Sequence, residues 1–157
     1  MMLRCMRWGA VIGTLVIAVG FLVSTPLSVG TAAPKARKPI IVKMSEFTMK
    51  PSLPFVAAGR VTFTAKNVGT MKHEMVVVRV QPGAQLPTKA DGSVDEAAIP
   101  KTDKFGEAEH VKPKQSGKLT TKLAPGDYVL FCNIVNSRAG TTYVHYARGM
   151  HSTFTAG

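Results

Sequence analysis

Two stretches near the C-terminus decide the fold: GDYVLFCNIV at residues 126–135 and HYARGM at residues 145–150. The first follows a Pro-Gly turn and runs through apolar and aromatic residues to Cys132, which is typical of a buried strand. The second presents His145 and Met150 five residues apart. A strand that ends on a thiol, followed by a loop with an imidazole and a thioether, predicts that these three side chains lie together.

These side chains are soft ligands, which suit copper better than a hard cation. His73, in the segment TMKHEM at residues 70–75, is the candidate for a second imidazole. With it the four residues would form a trigonal His₂Cys site with a weak axial sulfur. Each residue also has a structural interpretation, such as core packing, but their order and clustering favour the metal site. We interpret the two remaining histidines as non-ligands: His110 and His151.

Short segments in which apolar and polar residues alternate, separated by Pro and Gly, recur along the chain. The clearest is RVTFTAKN at residues 60–67, where Val61, Phe63 and Ala65 share one face. Residues 74–80 are more uniformly apolar and predict a more buried strand, which places His73 at its mouth. Without a long helical pattern, these segments predict an all-β sandwich of about seven to eight strands. The other predicted strands are 40–44, 47–49, 116–123, 128–133 and 152–156.

Residues 81–115 interrupt this pattern with a segment rich in Pro, Gly, Lys and acidic residues. The segment is too long for a plain connection between strands, so we expect a surface excursion. Within it, VDEAAI at residues 94–99 predicts one or two helical turns.

The N-terminus has the pattern of an export signal. Arg4 and Arg7 precede an uncharged apolar run at residues 8–23, and small residues then offer a cleavage site after Ala32 or Ala33. The run is shorter than the roughly 20 residues of a spanning helix, which favours cleavage over a retained anchor. We therefore predict a signal peptide at 1–33, a linker at 34–39 and one domain at 40–157. The protein would be periplasmic or extracellular, and membrane-associated if the segment is retained.

The predicted signal peptide changes the number of cysteines in the mature protein. The sequence has two cysteines, and removal of the signal takes Cys5 and leaves Cys132 alone. A single cysteine cannot form an internal disulfide, and a bare thiol in an oxidising compartment is open to oxidation. An inert core thiol is the alternative, but the neighbours of Cys132 favour a functional one.

The chain is strongly basic, with 20 Lys+Arg against 9 Asp+Glu and a net charge of +11. Without Arg4 and Arg7, 18 basic residues remain against the same 9 acidic ones, a net charge of +9. Such a surface favours an acidic redox protein or an anionic membrane surface as partner, through long-range steering. A solvated basic surface with no dedicated partner is the alternative. Nucleic acid is a poor choice of partner for an exported protein, and no stacked aromatic–basic pattern supports it. We expect a monomer.

Residues 125–134 and 145–150 resemble the cupredoxins, the plastocyanin- and azurin-like blue copper proteins, and NVGTMKH at 67–73 is similar to their first-histidine segment. The resemblance covers residues 40–157. It implies a Greek-key β-sandwich and one type 1 copper ion, with an exposed second-histidine ring as the electron port. The implied ligands are two histidine nitrogens, one thiolate and one axial thioether: His73, His145, Cys132 and Met150.

Two departures from the cupredoxin pattern concern the surroundings of these residues. Residues 133–144 separate Cys132 from His145, where many cupredoxins have only a few residues, so we expect this insert to loop out. Glu74 follows His73 where the family often has an Asn that ties the ligand loops together. A carboxylate would serve this purpose by accepting backbone N–H bonds.

The resemblance implies an exported one-electron carrier that cycles between Cu(II) and Cu(I), and not an enzyme. The alternative is a copper carrier or metallochaperone that delivers the metal to an oxidase. A multicopper oxidase or nitrite reductase would need further histidine motifs such as His-x-His or His-Cys-His, and the sequence has neither. A metal-free adhesion sandwich would leave the thiol and both histidines unexplained.

Overall fold

The computed structural model describes Gly9 and residues 38–157. Residues Lys35–Gly157 form one compact unit, an all-β sandwich of two sheets with a separate two-stranded hairpin. The described residues contain eleven strands. They are β1 (Ile40–Ser45), β2 (Thr48–Pro51), β3 (Phe55–Val56), β4 (Gly59–Asn67), β5 (His73–Val80), β6 (Lys104–Val111), β7 (Ser116–Leu123), β8 (Gly126–Phe131), β9 (Val135–Arg138), β10 (Thr141–Val144) and β11 (His151–Ala156).

The four-stranded sheet has the order β2-β1-β4-β7. Strands β1 and β4 run parallel, and the other pairs are antiparallel. As the alternation predicts, Val61, Phe63 and Ala65 of β4 are buried in the core between the sheets. Thr62 and Thr64 alternate with them and are more exposed. This sheet is therefore buried on one face only.

The five-stranded sheet, of order β3-β11-β8-β5-β6, is buried on both faces. In β8, Tyr128 and Leu130 belong to the core between the sheets, while Val129 and Phe131 belong to a second core on the outer face. Burial on both faces explains why residues 75–78 of β5 and 128–131 of β8 are apolar without interruption.

The excursion covers the outer face of the five-stranded sheet. Its side chains Leu86, Val94 and Ile99 complete the second core with Val129 and Phe131. The predicted helical turn is present as a 3₁₀ turn at Glu96–Ala98, and a second one follows at Lys101–Asp103. The excursion therefore gives this sheet a second layer of apolar contacts.

The prediction was wrong about the length of the excursion and the number of strands. Residues 104–111 form the edge strand β6, antiparallel to β5, with two register shifts. Its alternation is hidden because Gly106 has a φ of 109° and because exposed Glu107 and Glu109 occupy an edge. The hairpin β9–β10 and the two-residue β3 raise the count further.

The strand ends meet at two poles of the sandwich. At the first, which we call the Cys132 pole, β1, β4 and β8 end and β5 and β11 begin. At the other, which we call the Ile40 pole, β1 and β4 begin and β11 ends. Apart from Gly9, the predicted signal (1–33) lies outside the described residues, as does all of the linker except Lys38 and Pro39. None of the described helices is long and apolar enough to cross a membrane.

Candidate metal centre

Three of the four predicted residues meet at the Cys132 pole. One nitrogen each from His73 and His145 and the sulfur of Cys132 lie within 4.8 Å of one another. The Nδ1 atoms of the two rings are 3.2 Å apart, and Nδ1 of His145 is 3.3 Å from Sγ of Cys132. All three side chains are completely buried. The structure thus brings together residues from three separate parts of the sequence around one point.

The strands fix His73 and Cys132 from two sides. His73 is the first residue of β5, paired with Val111 of β6. Cys132 follows directly on β8, which lies between β5 and β11. Both residues are therefore attached to central strands of the five-stranded sheet, where the backbone is least free to move.

A tight loop at residues 145–150 positions the other two predicted ligands. The N–H of Met150 donates to the carbonyl of His145 at 3.1 Å, and the N–H of Cys132 donates to the carbonyl of Met150 at 3.1 Å. Gly149 adopts a φ of 93°, which a side chain would strain. The Met150 side chain is completely buried in the core that contains Cys132. Met150 is thus tied through its backbone to both the thiol and the imidazole residue.

The insert of residues 133–144 loops out as a hairpin and leaves the site intact. Strands β9 and β10 pair from Val135–Val144 to Arg138–Thr141. At the base of the hairpin the N–H of His145 donates to the carbonyl of Ile134 at 3.0 Å. Because the hairpin closes on itself, the inserted residues do not move Cys132 and His145 apart.

Glu74 ties the two ligand strands together, as its carboxylate was predicted to do. Its Oε1 accepts the N–H of Asn133 at 2.9 Å, and its own N–H donates to Sγ of Cys132 at 3.4 Å. The Asn133 side chain extends this connection to the excursion, because its Oδ1 accepts the N–H of Val94 at 2.7 Å. A bond from a backbone N–H favours the thiolate form of a cysteine.

Glu46, in the β1–β2 turn, is a neighbour of the site that the sequence did not reveal. Its Oε1 accepts the N–H groups of Thr70 and Met71, both at 2.6 Å, and lies 3.8 Å from Nε2 of His73. Burial alone would raise the pKa of this carboxyl, but these bonds together hold it at about 2. Glu46 therefore carries a charge beside the loop that leads into His73. No local pattern marks it, because the contact depends on the pairing of β1 with β4.

Burial keeps the site uncharged at neutral pH. It raises the pKa of the Cys132 thiol to about 12. It also lowers the pKa of His145 to about 4, with the neighbouring His73 adding to the effect. The pKa of His73 is lowered too, again by burial, although Glu46 opposes the shift. The thiol and the two neutral imidazoles therefore direct lone pairs at one another. A cation bound between them would accept these lone pairs and displace the thiol proton.

The site is closed to solvent, which corrects the expectation of an exposed electron port at His145. The His145 ring is fully buried and meets Phe47 edge-on, with 5.3 Å between the ring centroids. Phe47 stacks on Tyr143 of β10 at 5.8 Å, and the Arg148 guanidinium lies over both rings. The insert that is unusual in the sequence thus supplies part of a cover over this histidine.

The two other histidines lie apart from the cluster. His151 is exposed and contacts the Tyr146 ring, with centroids 5.0 Å apart. His110 is exposed on the edge strand β6. Neither belongs to the group of three converging donors.

The donors fit copper by their chemistry. Two imidazole nitrogens and a sulfur in one buried cluster, next to a buried thioether residue, form the soft set that suits a type 1 copper ion. The ring Nε2 atoms are buried without a hydrogen-bond partner, so Nδ1 is the atom that each ring turns toward the cluster. Hard cations such as calcium or magnesium would need oxygen ligands instead.

Comparison with known proteins supports the same assignment. A scan against protein-family models finds no match, and a search of curated proteins finds none either. Among solved structures, the chain is similar to dithionite-reduced auracyanin from the photosynthetic bacterium Roseiflexus castenholzii. The TM-score is 0.54 at 25% identity, over 78% of this chain and 98% of that one.

Two weaker similarities accompany this one. Auracyanin A, a blue copper protein from Chloroflexus aurantiacus, matches at 17% identity and a TM-score of 0.47, over 76% of this chain and 100% of that one. Reduced rusticyanin matches at 18% identity and a TM-score of 0.44, over 78% of this chain and 81% of that one. The sandwich, the buried His–Cys–His cluster with its neighbouring methionine, and the likeness to auracyanin show that this chain resembles the cupredoxins in its fold and in the donor set of its candidate site.

Proposed function

We propose that the protein is a one-electron carrier in which His73, Cys132, His145 and Met150 hold one copper ion. The observation that carries this proposal is the meeting of three soft donor atoms within 4.8 Å in a fully buried cluster. When bound, the copper ion supplies the Cu(II)/Cu(I) couple. The chain supplies the geometry of the site and the exclusion of water.

The frame around the donors suits electron transfer because little of it can move. The two ligand strands are connected through Glu74, and the ligand loop is connected to Cys132 through Met150. Groups held by packing and by neighbouring hydrogen bonds keep one geometry in both oxidation states. The N–H of Glu74 also stabilises the sulfur in its charged form.

Electrons would reach the site through the cover over His145. Phe47 and Tyr143 form this cover with Arg148, and the side chain of Arg148 is exposed to solvent. Lys72 and Arg138 are further exposed cations on segments at this pole. They support an acidic redox protein as the partner, steered by charge.

The cellular location follows from the sequence pattern of the N-terminus. We infer that the protein is exported and works outside the cytoplasm, since residues 1–33 have the composition of a signal peptide. A retained segment would hold it at the membrane instead.

The burial of the donors favours the electron carrier over the alternative, a copper carrier. A carrier must release its ion to an acceptor, whereas these three side chains have no exposed surface. Measurement of the release rate of copper and of electron self-exchange separates the two functions. Slow release with fast exchange indicates the electron carrier, and fast release with slow exchange indicates the copper carrier.

Titration of the purified protein with Cu(II) tests the proposal. We expect an intense visible absorption from thiolate-to-copper charge transfer, with one ion bound per chain. Cys132→Ser and His145→Asn should each abolish the colour while the far-UV spectrum remains that of the β-sandwich. His151→Asn, which alters an exposed histidine six residues further on, is the matched control and should keep the colour. A coloured Cys132→Ser variant would refute the assignment of the thiolate.

A further inference from the structure

The outer face of the four-stranded sheet carries six cations and no carboxylate. Strand pairing places all of them on this side, because residues that face each other across paired strands, parallel or antiparallel, point to the same face of the sheet. Between them lie threonines, and Thr62 bonds Thr120 across the strands at 2.9 Å. We call this surface the cationic face. Its charged residues are Lys43, Lys50, Arg60, Lys66, Lys118 and Lys122.

Several of these charges stand directly opposite one another. Lys43 of β1 faces Lys50 on one side and Lys66 on the other. Arg60 of β4 faces Lys122 of β7. Like charges in such positions destabilise a sheet. None of the salt bridges in the described part of the chain involves these residues, so no ion pair there offsets the repulsion.

The carboxylates lie elsewhere in the molecule. Glu46, which is the nearest along β1 and β2, accepts backbone bonds from the loop at residues 69–71. Glu107 and Glu109 are exposed on the edge strand β6 of the other sheet. The positive charge is therefore concentrated on one flat side, where it would attract an extended anionic surface.

An apolar rim borders the cationic face at the Ile40 pole. Ile41, Leu53 and Phe55 have 44%, 48% and 56% of their surface exposed. A groove of about 270 Å³ reaches from Leu53 and Phe55 to Arg60 and Thr62, which belong to the cationic face. Apolar side chains next to a row of cations are the combination that a protein lying on a bilayer presents.

We propose that the cationic face and its apolar rim dock on a bilayer of anionic phospholipid. The cations would attract the headgroups, at about 1 kcal/mol each, and Leu53 and Phe55 would enter the boundary with the acyl chains. An acidic protein would match the charge but would not require the rim. Docking in this way would leave the Cys132 pole free for a redox partner, although the proposal does not depend on the function assigned to that pole.

Binding to lipid vesicles tests the charge part of the proposal. The compact unit Lys35–Gly157 contains both cores and is the protein to use. It should sediment with vesicles of phosphatidylcholine and phosphatidylglycerol, but not with phosphatidylcholine alone, and salt should release it. The double variant Lys118→Thr with Lys122→Thr should have a partition coefficient about thirtyfold lower, because each cation contributes roughly 1 kcal/mol to binding. The matched control on the opposite side, Lys89→Thr with Lys101→Thr, has the same charge and should stay within about threefold.

Fluorescence tests the orientation. The only tryptophan of the sequence is Trp8, which this unit does not include, so one introduced tryptophan reports alone. Leu53→Trp should shift to shorter wavelength on anionic vesicles, while Val135→Trp, at an equally exposed site on the hairpin near the Cys132 pole, should not. The proposal is overturned if both or neither shift, or if the double lysine variant binds like the parent. Binding to polyglutamate without binding to vesicles would also overturn it, in favour of an acidic protein partner.

Discussion

The two sheets of this sandwich serve different purposes. The five-stranded sheet supplies His73 from β5 and Cys132 from the end of β8, and Met150 directly precedes its strand β11. The four-stranded sheet supplies none of the predicted ligands. Its inner face packs on the core, and its outer face is cationic and open to solvent.

This difference follows from what covers each outer face. The excursion packs Leu86, Val94 and Ile99 on the five-stranded sheet, so β8 is buried on both sides up to Cys132. A strand held on both sides keeps the thiol in place and away from water. The four-stranded sheet has no such layer, and its exposed side chains can therefore serve as a docking surface. The following predictions test whether the two sheets differ in this way.

The largest effect is expected from the second core. Phe131→Ala removes a fully buried ring between β5 and the excursion and should lower the free energy of unfolding by about 3–5 kcal/mol. Ile41→Ala, on the uncovered face of the other sheet, should change it by no more than about 0.5 kcal/mol. Urea denaturation of the copper-free protein measures both. If both variants lose the same free energy of unfolding, the layer that the excursion adds does not make the five-stranded sheet more sensitive than the other.

Acid should also act at the Cys132 pole, through His145 in the loop that leads into β11 of the five-stranded sheet. An unfolded histidine titrates near pH 6.5, whereas burial lowers the pKa of His145 to about 4. Between these values the unfolded chain binds more protons, so the free energy of unfolding falls as the pH falls. The loss from His145 between pH 6.5 and 4 is about 3 kcal/mol, at 1.36 kcal/mol per unit.

Comparison of histidine variants isolates this contribution in the copper-free protein. His145→Gln should remove about 3 kcal/mol of the stability change between pH 6.5 and 4, whereas His151→Gln, which alters an exposed ring, should leave it unchanged. Denaturation curves at several pH values give the slopes. A His145→Gln variant with the same pH dependence as the parent would mean that the ring is not held neutral by burial.

A smaller effect is expected where Glu74 connects the ligand strands. Glu74→Ala leaves the N–H of Asn133 without its acceptor and should cost about 1–3 kcal/mol. Glu74→Gln keeps an oxygen in place and should cost less. Glu109→Ala, on the exposed edge of β6, is the control and should stay within about 0.5 kcal/mol. If Glu74→Ala is as stable as the parent, the connection between the strands does not depend on this carboxylate.

The sequence was sufficient to predict the sandwich and the residues of the cluster because both depend on local patterns. Alternation in β4 and the apolar run of β8 identify their faces, and the types and order of His73, Cys132, His145 and Met150 indicate their chemistry. The position of Glu74 after His73 suggested a tie between the ligand loops, but the sequence did not identify the N–H of Asn133 as the group that its carboxylate accepts.

Features that depend on distant contacts could not be predicted in this way. His145 was expected to be exposed, but Phe47 from the β1–β2 turn and Tyr143 from the hairpin bury it. The outward lysines can be counted in each strand separately, yet only the register places Lys43 between Lys50 and Lys66. Strand pairing thus determines both the cover of the site and the charge of the opposite sheet.

The smallest effect, and the only stabilising one, is expected at the centre of the cationic face. Lys43→Thr removes a charge that faces two other lysines and places a β-branched residue in an exposed strand position. It should raise the free energy of unfolding by about 0.2–1 kcal/mol at low salt. The gain should shrink in 1 M salt, where the screening length falls to about 3 Å. Lys89→Thr, in the excursion, lowers the net charge equally and should give no comparable gain. If the two variants are equally stable, net charge and not the register of the four-stranded sheet is the source of the repulsion.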